Sequence, residues 1–256
     1  MSTINVHSIS HALGGRQILT DVSLELGKDQ MTAIIGINGA GKSTFLRILA
    51  GIDLPSAGHV SAAGQPLLNL NAKERTRTIS FVAQDETPPA EMSVYDFVAL
   101  GRLPYQGLFA RNSATDSEAI QSALHQVGLA DLAARSCGEL SGGQRHRVVL
   151  ARGLAQQSEF LLLDEPTNHL DVKHQQSILE LLRHTGSPVV AAVHDLDLVM
   201  CFFDRVIVLH DGEVFADGIP RQVLNKHVVS HVFGVKSAQV SVPGSKVEHL
   251  VIEGLK

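Results

Sequence analysis

Residues 36–44 read GINGAGKST, directly after the apolar run 31–35 and directly before the apolar-periodic stretch 45–49. A glycine, four residues, then Gly41, Lys42 and Ser43 fits few folded contexts: a strand must end, the chain must turn tightly, and a helix must begin. Such a loop turns its backbone N–H groups around phosphate oxygens, and the new helix adds a partial positive charge. Gly36, Asn38, Gly39, Ala40, Gly41 and Thr44 are therefore the expected cradle for a nucleotide. Lys42 reaches the β- and γ-phosphate oxygens, and Ser43 offers its hydroxyl to Mg²⁺. A strand that feeds a helix in this way predicts crossover connections and a parallel sheet.

The rest of the chain supplies that sheet. FLLLD at 160–164 and PVVAAV at 188–193 are continuous apolar runs of the kind buried on both faces, separated by a helix expected over about 172–184. Residues 22–26 alternate apolar and polar, and 79–82 read as another short strand. From Ser93 to about Gly153 the spacing of Val94, Phe97, Val98, Ile120, Leu124 and Val127 turns helical, which predicts an inserted helical subdomain. Asp211-Gly212 signals a hairpin, 219–233 is expected to be helical, and the last twenty residues, with Pro243 and Gly244, predict a short appended hairpin or a loosely held tail.

Composition narrows the partners. Twenty-six acids against 21 bases give a net charge of −5, which disfavours nucleic acid because no basic excess replaces phosphate counterions. No apolar run approaches the ~20 residues of a bilayer span, and the N-terminus lacks a secretory pattern. Cys137 and Cys201 lie far apart without CxxC spacing, so the expected compartment is reducing and cytosolic, and both read as small apolar packing residues.

FLLLD delivers Asp164 and then Glu165 to the carboxyl end of a buried strand, the edge at which open α/β sheets bind ligands. Adjacent carboxylates pointing opposite ways divide the labour: Asp164 serves Mg²⁺, and Glu165 polarises an attacking water. Between the cradle and this pair lies LSGGQ at 140–144, whose Ser141, Gly142 and Gly143 open a helix and expose N–H groups as a second anion site.

With these motifs the chain resembles the ATPase subunits of ABC transporters over essentially its whole length. The resemblance implies an α/β fold with a P-loop NTPase (RecA-like) core, an antiparallel β subdomain and an α-helical insert at about 86–155. The ATPase domain would span 1–235, with a short extension at 236–256. It also implies a head-to-tail pair of copies, in which Ser141, Gly142, Gly143 and Gln144 meet the ATP held by the other copy. By the same resemblance Gln84 reports Mg²⁺ and γ-phosphate, His194 contacts γ-phosphate and orients water, and Asp171 of Asn168-His169-Leu170-Asp171 lies in the loop linking the two sites. Where the family stacks an aromatic ring on adenine, this chain offers His11 or Leu13, which predicts weak base selectivity.

The implied partners are membrane-spanning permease subunits and, indirectly, a periplasmic or lipid-anchored binding protein. The implied place is the cytoplasmic face of the membrane. SVYDFVALGRLPY at 93–105 and GIPRQVLNKHVVSHVFGV at 218–235 resemble the subgroup energising uptake of ferric siderophores, haem and cobalamin. His227 and His231, four apart, read as a solvated or packed pair without a third ligand. His146 and His169 receive no role.

Overall fold

The computed structural model describes residues 3–27, 30–106, 113–168, 170–244 and 247–253. His169 lies outside them. Strands β1 (Ile4–Leu13), β2 (Arg16–Leu26), β4 (Ala57–Ala62) and β5 (Gln65–Pro66) form an antiparallel sheet in the order β2-β1-β4-β5. The expected strand at 22–26 is thus the second half of a longer one. Between them come β3 (Met31–Ile35) and α1 (Lys42–Leu49).

The central sheet has the order β10-β9-β3-β8-β7-β6, built from β6 (Ile79–Val82), β7 (Phe160–Asp164), β8 (Val189–Ala192), β9 (Arg205–His210) and β10 (Glu213–Gly218) with β3. All neighbours are parallel except the edge pair β9-β10, the hairpin turned by Asp211-Gly212. Helices α2 (Ala72–Thr78), α3 (Val94–Ala99), α4 (Ala114–Gln126), α5 (Gly142–Ala155), α6 (Val172–Arg183), α7 (Leu196–Phe202), α8 (Pro220–Val223) and α9 (Lys226–Phe233) complete the chain with the hairpin β11 (Lys236–Ser241) and β12 (Glu248–Glu253).

The apolar runs carry no alternation in sequence because both sheet faces are covered. The period of two still sorts their side chains. Ala33, Ile35, Leu161, Leu163, Val189, Ala191, Val206 and Val208 join the core under the helices. Ile34, Phe160, Leu162, Val190, Ala192, Ile207 and Leu209 join the core shared with α1 and the antiparallel sheet. Val94 and Phe97 are buried, whereas Leu100 and Leu103 stay exposed at 38% and 56%.

The expected helix at 219–233 is two helices. Leu224 leaves helical geometry with ψ 45°, and Asn225 then caps α9 by accepting from the N–H groups of His227 and Val228. The C-terminal residues form the hairpin rather than a loose tail, and Leu250 is buried. Strand order does the rest: β3, β8, β7 and β6 are adjacent, so the segments following them, with Lys42, His194, Glu165 and Gln84, leave one sheet edge side by side.

Candidate active site

The loop after β3 is wedged between strands. A Cβ on Gly36 would lie 2.4 Å from the Leu209 carbonyl oxygen of β9. Gly41 has φ +95°, and a Cβ there would lie 2.8 Å from Leu19 Cδ2 and 3.0 Å from the Ile18 carbonyl oxygen of β2. Both close approach and backbone sign therefore demand glycine at 41. The resulting cleft of about 220 Å³ is lined by Ile18, Asn38, Gly39, Lys42, Ser43 and Glu165, among others.

Lys42 is buried, and its Nζ donates to the carbonyl oxygens of Gly36 (2.9 Å) and Ile37 (3.2 Å). Burial pushes its pKa down, while the carboxylates of Glu165 and Asp164 oppose that shift. Charge-assisted hydrogen bonds of this kind contribute about 1.5–3 kcal/mol. Lys42→Ala should therefore weaken ATP binding by about 10- to 100-fold in a nucleotide titration, and an unchanged Kd would remove Lys42 from the phosphate site.

Ser43 Oγ donates to Asp164 Oδ1 at 3.1 Å. Burial raises the Asp164 pKa, the Ser43 hydroxyl lowers it, and the Glu165 charge raises it further. A buried carboxylate destabilised by its surroundings, beside a hydroxyl at the phosphate cradle, is an oxygen donor set that fits Mg²⁺.

Glu165 follows with φ +52°, the left-handed region that costs a non-glycine residue strain. Both its oxygens are held. Oε2 accepts from Asn168 Nδ2 at 2.8 Å, and Oε1 makes a short contact with His194 Nε2. Glu165 is 13% exposed and His194 43%, so the pair sits at the rim of the site.

Glu165 also lines a second cleft of about 260 Å³ with Gln84, Gly142, Gly143, His146 and Asn168. The structure thus brings Gln84, Glu165 and the two signature glycines together, but the signature does not line the Lys42 cleft. Ser141 and Gln144 form a capping box: Ser141 Oγ accepts from the Gln144 N–H (3.3 Å), and Gln144 Oε1 accepts from the Ser141 N–H (2.9 Å). A Cβ on Gly142 or Gly143 would meet nothing within 4 Å. Glycine has greater backbone freedom to lose than alanine, and among the described residues no neighbour requires it at either position.

Asp171 caps α6, accepting from the His174 N–H at 2.9 Å and pairing with His174 Nδ1 at 2.8 Å. The backbone donor first, and the ring second, lower its pKa. It is exposed and lines neither cleft. His11 pairs with Leu19 across β1 and β2, and Leu13 is 66% exposed; the apolar wall of the Lys42 cleft is Ile18 instead. Ile18 carries no motif, and its only sequence trace is its place in the strand that touches Gly41.

His146 was equally silent in sequence. From α5 its Nε2 donates to the Pro166 carbonyl at 2.7 Å, tying the signature helix to the residue after Glu165. Burial lowers its pKa below 6.5, partly opposed by that hydrogen bond. The unfolded chain therefore takes up the proton first, so this histidine makes stability fall as pH drops through about 6.5. Urea titrations at pH 7.5 and 5.5 should show a smaller loss in His146→Gln than in the parent chain; equal losses would contradict the assignment.

The family described as ABC transporter matches residues 19–168. The ferric enterobactin transport ATP-binding protein FepC of Escherichia coli (strain K12) is 37% identical over 234 residues, covering 90% of this chain and 86% of FepC. The cobalamin import ATP-binding protein BtuD of Halobacterium salinarum (strain ATCC 29341 / DSM 671 / R1) is 39% identical over 247 residues; the match covers 95% of this chain and 62% of that longer protein. A structure described as an ABC transporter in an inward-facing conformation superposes with TM-score 0.85 at 28% identity, covering 99% of this chain and 98% of the other. The cradle after β3, the Asp164-Glu165 strand end and the LSGGQ helix thus sit in a chain that belongs to the ATP-binding ATPase subunits of ABC transporters.

Proposed function

We propose that this ATPase energises import of an iron chelate, either a ferric siderophore or haem, or of cobalamin. Two copies close head to tail around two ATP molecules on permease subunits at the cytoplasmic face of the membrane. The observation that carries the paired arrangement is the empty space over Gly142 and Gly143: the conformational cost of two glycines is explained by a phosphate approaching from outside the chain. The choice of cargo class rests on the relatives above. Exposed Leu100 and Leu103, beside the helix at 94–99, supply an apolar contact for the permease. No helix of the described residues is long and apolar enough to cross a membrane, which suits a subunit docked on others.

Within the site, Lys42 and the loop N–H groups hold the triphosphate. Mg²⁺ held by Ser43, Asp164 and Gln84 would supply charge neutralisation on the phosphate oxygens. Glu165 takes the proton from the attacking water, with its two oxygens fixed by Asn168 and His194. Asp171, at the start of α6, faces the other copy. With Ile18, rather than an aromatic ring, forming the cleft wall, ATP and GTP should turn over at comparable rates. A strong preference for ATP would refute that expectation.

The cargo is tested by co-purifying the chain with its permease and measuring ATP-dependent uptake into proteoliposomes of a ferric siderophore, haem and cobalamin. Uptake of at least one is expected. Uptake of none by a complex that hydrolyses ATP would overturn the import reading.

A further inference from the structure

Three side chains assigned no functional role from sequence converge where the C-terminal hairpin meets α7. Asp197 and Cys201 are four apart and share one face of that helix, while His249 comes from β12. His249 Nδ1 lies 3.2 Å from Asp197 Oδ1 and 3.6 Å from Cys201 Sγ, and Cys201 Sγ lies 3.9 Å from the same Oδ1. Among the described residues this is the one group of three such ligands with atoms mutually within 4.8 Å. Cys201 is partly buried beside these polar groups, whereas Cys137 is fully buried.

The spacing is informative. Around a tetrahedral zinc with ordinary bond lengths, sulfur and nitrogen stand about 3.6 Å apart, sulfur and oxygen about 3.5 Å, and nitrogen and oxygen about 3.3 Å. With Oδ1 as the one carboxylate ligand atom, the three separations fall within about 0.4 Å of those edges, sulfur to oxygen being the longest. The Leu250 N–H donates to Asp197 Oδ1 at 2.8 Å and fixes the carboxylate, as outer partners do for metal ligands. Asp197 and His249 are about one-third exposed, which leaves a path for entry and room for a water as fourth ligand.

We propose that Asp197, Cys201 and His249 form a site for a thiophilic divalent cation of the zinc class, which pins the C-terminal hairpin to α7. One thiolate, one carboxylate and a neutral imidazole match the ligand preferences of zinc or cobalt and not those of Mg²⁺. Binding releases the Sγ proton to water, while the neutral imidazole binds through Nδ1 with its one proton on Nε2. Without a cation, burial and then the charges of Asp197 and Asp195 push the Cys201 thiol up to about 11, so it is no reactive nucleophile in its own right. His227 and His231 stack at 6.0 Å and belong to no such group.

The test is a Co²⁺ titration of the full, tag-free, nucleotide-free chain after chelator treatment. One Co²⁺ per chain should bind with a thiolate-to-cobalt charge-transfer band, Zn²⁺ should displace it, and the melting temperature should rise. Cys201→Ser should lose the band, Cys137→Ala should keep it, and His249→Gln should weaken binding at least about tenfold. ATPase activity in the metal-free state should be unchanged in all three, which separates loss of a ligand from loss of fold. Absence of the band in the parent chain, or its persistence in Cys201→Ser, would overturn the proposal.

Discussion

Glu165→Gln should lower ATP turnover by about 10²–10⁴-fold while ATP affinity stays close to that of the parent chain. The amide keeps the size of the side chain and can still bond to Asn168 and His194 after rotation, so the strained backbone at φ +52° has no new reason to move. What disappears is a proton acceptor at the rim of the phosphate cleft. Binding is carried elsewhere, by Lys42 and the glycine loop, so the two measurements should separate. Phosphate release under saturating ATP, alongside a nucleotide titration, checks both. Parent-like turnover would mean that another group activates the water.

Arg102→Ala should destabilise the fold by about 3–5 kcal/mol, since it leaves a buried charge without its partner. Arg102 and Asp116 side chains are 3% and 7% exposed, with Nε donating to Oδ1 at 2.9 Å. Arg102 Nη1 also donates to the Ala155 carbonyl at 2.8 Å, and the guanidinium sits 4.0 Å over the Tyr105 ring. One side chain therefore joins α4, the end of α5 and the turn after α3. Asp116 meanwhile caps α4 through Ser113. Burial alone would raise the Asp116 pKa, but the hydrogen bonds from Arg102 and Ser113 outweigh it and hold it below 3.8. Its stabilising contribution is thus complete above the ordinary carboxylate range and is lost as pH falls through the lowered value. Urea denaturation of Arg102→Ala, Asp116→Ala and the double variant would show coupling, with the double costing less than the sum. Additive losses would contradict a shared buried pair.

How much of this was readable follows from the range of each interaction. The cradle was legible because its glycines answer local demands of a turn, and the buried strands were legible because both faces of β3 and β7 are covered. The antiparallel sheet was less so: β1 and β2 bend through register shifts, and Ser8 and Asp21 take positive φ, so clean alternation is confined to residues 22–26. Ile18 and His146 matter through what they touch across the fold, and no spacing announces such contacts. Asp197, Cys201 and His249 span 52 residues of chain, and their meeting depends on a hairpin docking that sequence left open.

The central claim is that a second copy completes the nucleotide site through residues 141–143. It is tested most directly by light scattering of Glu165→Gln with saturating Mg-ATP, compared with the same chain also carrying Ser141→Arg. The first should have twice the mass of one chain with one ATP bound per copy. The second should bind ATP and remain a single chain. A monomer in the first case at full ATP occupancy, or a dimer in the second, would contradict the account.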